Sequence, residues 1–321
     1  MFNWDVPTAA KFFVRNSDVL AQGFYNRIIR SRPFAFSFNI SEHCPVGCRC
    51  YWRAQGIEPE MSDEEAIAFF WQKQREGYVL ANIVGGEPYT RPRLLEKVAG
   101  IVPFAWLVTS GTTPLLRLQQ TTHFISIDGA TAETHDRVRR SKGLFNRIVR
   151  NTERARAAGD FPMIIHTTLN AMNIGEIEGV LKFWKDRADG IIFSLMTPIG
   201  DAHDEEYRPS REQRTQAVAE LVRYKMGSQY GGFILTSREM LMRLHPDETA
   251  KLHPGNCPTA QYIPSYRGSG KQIGQCILSE NADCTQCGCV VTTMSGRTDE
   301  RTNFQTMGET IRLFWKMSTL R

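Results

Sequence analysis

Apolar and polar positions along this chain alternate between two rhythms. Residues 34–40 (Phe34-Ala35-Phe36-Ser37-Phe38-Asn39-Ile40) repeat at period two, the pattern of a strand whose side chains face opposite ways in turn. Residues 61–77 read as a helix, with Ser62 as cap and Glu65 three residues on, the spacing of a capping box. The apolar run 78–84, closed by Gly85-Gly86, predicts the next strand. Further strands follow at 104–109, 124–127, 162–169 and 190–195, separated by helices at 93–99, 132–139, 143–158 and 174–185, with another helix at 211–225. Six short apolar strands alternating with helices predict βα units, an α/β fold class and a largely parallel sheet. Such sheets carry their ligands at the carboxyl ends of the strands.

The two ends of the chain break this rhythm. Residues 1–35 mix aromatic and basic side chains and read as an N-terminal helical segment. After residue 228, a strand at 231–235 and a helix at 237–244 give way to a stretch, 252–303, rich in Gly, Pro, Thr, Ser and Cys. A stretch of that kind packs no core unaided, but metal ligation can organise it. The amphipathic run 307–317 is expected to pack back on the main domain. The expected organisation is therefore 1–35 helical, 36–228 the α/β domain, and 229–321 a cysteine-rich extension with a terminal helix.

A chain of 321 residues, 41% hydrophobic, is long enough for one large α/β domain with an appendage. Its formal charge of +5 is small and dispersed, and the basic patches at 27–32 and 137–142 read as solvated helix faces. A nucleic-acid partner is not expected. The start lacks a basic and apolar signal pattern, and no apolar run approaches the roughly 18 residues of a membrane span. The expectation is a cytoplasmic protein with no membrane span.

The cysteines change the picture. Cys44, Cys48 and Cys50 lie in seven residues of loop after the first strand, and Cys257, Cys276, Cys284, Cys287 and Cys289 gather some 200 residues later. In a cytosolic chain of this length tight thiol groups read as metal ligands rather than disulfides. Three thiolates can hold one [4Fe–4S] cluster and leave its fourth iron open. Zinc is the rival, since His43 could complete a closed tetrahedral site. Val84-Gly85-Gly86-Glu87-Pro88 ends the second strand, where glycines admit a ligand to the backbone and a carboxylate can hold an ammonium. Ser126, with Arg139 about a dozen residues on, suits a polar ligand carrying a carboxylate. Taken alone, His135 and Asp136 read as a helix cap or satisfied packing.

These elements resemble the radical S-adenosylmethionine (SAM) superfamily, whose signature is Cys-x3-Cys-x2-Cys. Here Cys44-x3-Cys48 stands intact, but Cys48-x-Cys50 is one residue short. The stretch 125–139 is the most specific part of the likeness. The resemblance, carried by elements across 36–200, implies a partial (β/α)6 barrel over 36–228 with a SPASM- or twitch-like auxiliary extension. It implies a [4Fe–4S] cluster on Cys44, Cys48 and Cys50, and SAM bound by Gly85, Gly86 and Glu87 at its amino group. It further implies Ser126 at the ribose, Arg139 at the carboxylate and Met196 near the adenine, with Thr109 and Asn170 of second rank. A second [4Fe–4S] cluster would draw its ligands from Cys257, Cys276, Cys284 and Cys287, with Cys289 able to replace one, and zinc as the alternative. The implied activity is reductive cleavage of SAM to a 5′-deoxyadenosyl radical that abstracts hydrogen from, or adds to, a small organic substrate. A peptide-modifying maturase is the first alternative, and a non-catalytic iron–sulfur or zinc protein of this fold the second. The expected electron donor is a flavodoxin or ferredoxin.

Overall fold

The computed structural model describes residues 17–26, 32–48, 58–159, 161–200, 204–278, 280–294 and 313. Six parallel strands form its centre: β1 (Ala35–Ser41), β2 (Leu80–Gly85), β3 (Phe104–Thr109), β4 (Thr121–Ser126), β5 (Met163–Leu169) and β6 (Gly190–Leu195). Their spatial order follows the chain, as short βα units require. Two short strands, β7 (Ser265–Tyr266) and β8 (Gln272–Ile273), extend the sheet beyond β1, giving the order β6-β5-β4-β3-β2-β1-β7-β8. At the other edge Ile234 makes a single parallel bridge to Ile191, so the segment expected as a strand at 231–235 contributes one rung. The sheet curls without closing, and the fold is an α/β partial barrel.

The connecting helices are α1 (Ser17–Phe24), α2 (Asp63–Arg75), α3 (Pro92–Val98), α4 (Ala132–Arg139), α5 (Leu144–Ala157), α6 (Ile177–Trp184) and α7 (Arg211–Met226). Helix α2 begins where the sequence places it. The Ser62 side chain accepts from Glu65 N, and the Glu65 carboxylate accepts from Ser62 N at 2.8 Å. Helix α7 repeats the device with Ser210 and Gln213. Strand β4 starts three residues earlier than its apolar run suggests, because Thr121, Thr122 and His123 also pair with β3.

Strand alternation divides the side chains between two environments. Phe36, Phe38, Ile40, Ala81, Ile83, Ala105 and Leu107 point out to Phe70 of α2 and Leu94, Leu95 and Val98 of α3. Ile125, Met163, Ile165, Ile191 and Phe193 do the same against α5, α6 and α7, around a fully buried Trp184. Each of the larger of these side chains contributes roughly 1.5–3 kcal/mol by burial. Intervening residues turn inward to line a cavity, among them Asn82, Trp106, Phe124, Ser126, His166 and Ser194.

The segment after residue 229 wraps this barrel at both edges, through β7 on one side and the Ile234 bridge on the other. Its Cys287-Gly288-Cys289 turn closes on the end of β6, where Leu195 N donates to Gly288 O at 2.9 Å and Gly288 N to Thr197 Oγ1 at 2.8 Å. A Cβ at Gly288 would stand 1.9 Å from Leu195 O, so only glycine permits this approach. The terminal helix expected at 307–317 lies outside the described residues except for Leu313, which is helical and buried against the Phe104 and Trp106 cluster.

Candidate active site

The loop after β1 carries Cys44 and Cys48 over the top of the barrel; Cys50 lies outside the described residues. Backbone approach pins the loop. Gly86 N donates to Ser41 O and Glu87 N to His43 O, both at 2.7 Å. A Cβ at Gly86 would fall 2.2 Å from His43 O, and one at Gly85 (φ +124°) 2.5 Å from Ser41 O. On the opposite side Gly47 N donates to Ser141 Oγ at 3.0 Å, where a Cβ would meet Arg140 O at 2.6 Å. The outer flank is tied by Glu60, which accepts from Ser41 Oγ and Glu42 N, and by Arg91, which pairs with Glu60 and Asp63. The Gly85-Gly86 pair therefore seats the thiol loop as well as baring backbone to a ligand.

Below the loop lies a cavity of about 320 Å³ at the carboxyl ends of the strands. Of the residues expected at the site, Cys44, Cys48, Gly85, Gly86, Thr109, Ser126, Arg139, Asn170, Met196 and Cys289 line it. Glu87 does not. Its fully buried carboxylate accepts from Tyr89 N (3.1 Å), Thr109 Oγ1 (2.6 Å), Ser110 N (2.8 Å) and Ser110 Oγ. These four protein donors give the carboxylate a buttressing role. It locks the end of β2 to the end of β3 and leaves the Gly85-Gly86 backbone at the cavity.

Thr109 is committed to that same lock and also accepts from Gly111 N. Asn170 is turned inward by its own loop, accepting from Met172 N at 2.9 Å. Arg139 reaches the cavity wall in an ion pair with Asp128 (2.6 Å), and Asp128 is itself held by Thr168 N. The guanidinium thus arrives oriented by a partner. His135 and Asp136 behave as the local reading has it. His135 Nδ1 accepts from Asp128 N, and Asp136 caps the start of α5 through Gly143 N and Phe145 N.

Several cavity residues were not foreseen, among them Asn82, Trp106, Phe124, Asp128, His166 and Ser194. Most could have been found by stepping back two residues along each strand from the strand-end positions. His166 Nε2 sits 2.9 Å from Ser194 Oγ, which also accepts from Val290 N of the C-terminal segment. Burial depresses the His166 pKa to about 4, so its imidazole is neutral at physiological pH.

The second cysteine group builds a different place. Cys257, Cys276, Cys284, Cys287 and Cys289 all wall one small cavity of about 20 Å³ beside the first, and Cys289 lines both. Burial, reinforced by neighbouring thiols, pushes Cys284 up to about 11, Cys287 to about 12 and Cys289 to about 11. Among the described residues no three His, Cys, Asp or Glu side chains converge at the spacing of a single metal ion. Five thiols around one cavity are a donor set that an iron–sulfur cluster or zinc could use.

No protein-family model matches the chain. It is 32% identical over 191 residues to the AdoMet-dependent heme synthase of Methanosarcina barkeri, covering 54% of each chain. It is 26% identical over 204 residues to the mycofactocin maturase MftC of Mycobacterium tuberculosis, covering 59% of this chain and 52% of the relative. The chain thus matches about half the length of these curated relatives. Its fold is similar to Streptococcus suis SuiB bound to the precursor peptide SuiA, with a TM-score of 0.59 at 10% identity, over 93% of this chain and 71% of SuiB. These likenesses support the resemblance to the radical SAM superfamily noted in the sequence. That resemblance implies SAM and one [4Fe–4S] cluster as cofactors. Among the described residues no helix is long and apolar enough to cross a membrane.

Proposed function

We propose that this chain is an enzyme that holds a [4Fe–4S] cluster on Cys44, Cys48 and Cys50 and uses it to cleave SAM reductively. The carrying observation is that the thiol loop, the Gly85-Gly86 backbone, Ser126 and Arg139 all border one cavity. Cys44, Cys48 and Cys50 would hold the cluster, and its chemistry would be one-electron reduction of the SAM sulfonium, giving methionine and a 5′-deoxyadenosyl radical. The protein's own part is placement and exclusion of water. Arg139, steered by Asp128, offers a cation to the SAM carboxylate, and the bared backbone of Gly85-Gly86 faces its amino group. Ser126 stands at the end of β4 for the ribose hydroxyls, and Met196 beyond β6 for the adenine. Trp106, Val108, Phe124, Ile192, Val290 and Met294 give the inner wall an apolar part, which keeps a reactive radical away from solvent and from unwanted hydrogen-atom donors.

The substrate favoured here is a small organic molecule, consistent with a partly enclosed cavity and with the heme synthase likeness. A peptide substrate is the second reading, supported by the likeness to a maturase and to SuiB with its precursor peptide. The C-terminal thiols would hold a second [4Fe–4S] cluster, and a flavodoxin or ferredoxin would deliver electrons. The decisive test is anaerobic reconstitution followed by SAM and dithionite, with 5′-deoxyadenosine as the expected product. A preparation whose cluster is visible by EPR yet forms no 5′-deoxyadenosine sinks the proposal.

A further inference from the structure

Arg214 is the least expected charge in the molecule. It is 3% exposed, in the first turns of α7, and donates from Nη1 to Met196 O (2.9 Å) and from Nη2 to Cys287 O (3.2 Å). Neither partner is an anion. Among the described residues it forms no ion pair with a carboxylate, and Asp283 acts on it only from longer range. Two features make this arrangement costly. A buried cation without a counter-charge is strongly disfavoured. It also sits near the positive end of its own helix, where a second positive charge is unfavourable.

We infer that Arg214 is the counter-charge of a metal–thiolate cluster seated among the C-terminal cysteines, a positioning residue that raises the reduction potential of that cluster. The inference rests on the reading that those thiols hold a cluster, and it follows from charge. A cluster ligated by four thiolates is anionic and becomes more so on reduction, so a fixed cation beside Cys287 favours the reduced form. The two carbonyl contacts have a geometric purpose as well. They join the end of β6, which borders the main cavity, to the turn that carries Cys287 and Cys289.

The test compares Arg214→Met, which keeps most of the volume and loses the charge, with Arg214→Lys, which keeps the charge and loses the fork. Iron content, circular dichroism and EPR-monitored redox titration are read on the reconstituted full chain. In the Met variant the C-terminal cluster is expected to shift to lower potential, or to be lost, while the N-terminal cluster titrates unchanged. The Lys variant should recover most of the potential or the iron. An unchanged potential in the Met variant, equal damage by Met and Lys, or iron for only one cluster in the parent protein overturns the inference. SAM cleavage is assayed on the same samples. Its absence alongside a shifted C-terminal potential counts against the proposed activity and leaves the role of Arg214 standing.

Discussion

The two cysteine regions reach their thiol groups by opposite routes. The loop bearing Cys44 and Cys48 is set by regular structure: β1 delivers it, Gly85, Gly86 and Gly47 let backbone close on it, and Glu60 and Arg91 tie its flank. The five C-terminal cysteines stand on short turns and helices of three to five residues, among them Cys284–Gln286, Pro258–Tyr262 and Val290–Thr293. The first region opens onto a cavity of about 320 Å³, whereas the second closes around one of about 20 Å³. A centre that must admit a ligand is better built on a rigid scaffold with one side left bare. A centre that only holds its metal can be built from irregular chain that the metal itself fastens.

Paired substitutions should separate the two regions most sharply. Cys48→Ala is expected to abolish 5′-deoxyadenosine formation and leave the C-terminal iron in place, whereas Cys284→Ala should remove about four irons and leave SAM cleavage partly intact. Chemical iron counts with product assays read both; unaltered iron in Cys284→Ala would show that this thiol is no ligand. Gly86→Ala comes next in size. Its methyl would press on His43 O, so the loop must shift, at a cost of about 1–3 kcal/mol in denaturant unfolding together with weaker SAM binding. Normal binding and stability would mean the glycine is not needed for loop seating.

The smallest effect is one of pH, and it belongs to the barrel alone. His123 and His135 are buried and His166 is half-buried, with pKa values lowered to about 3, 4 and 4, first of all by desolvation. Each lies below its unfolded value near 6.5, so the unfolded chain binds more protons between the two. Stability from these groups is complete above pH 6.5 and declines as pH falls from 6.5 towards 4. Tm measured across that window should drop, and Phe at position 123 should blunt the drop by removing one titrating ring, its neighbours there being Tyr89 and Phe161. A flat Tm profile would contradict the burial of these neutral rings.

Hydrophobic rhythm alone determined the six strands, the parallel sheet and most helix limits, because each element must bury one face at its own period. The capping box at Ser62 and the extents of β3, β6 and α4 match what the residues indicate. Spacing determined that the thiols form two groups. Tertiary structure decided what each polar group does with its bonds. It turned Glu87 from the cavity to Thr109 and Ser110, gave Arg139 to Asp128, and placed His166 and Ser194 on the inner wall. Only the fold brought Arg214 against Cys287, 73 residues away along the chain. A hydrogen bond or a charge depends on what lies within a few ångströms, and that is fixed by the packing of distant segments rather than by any local pattern.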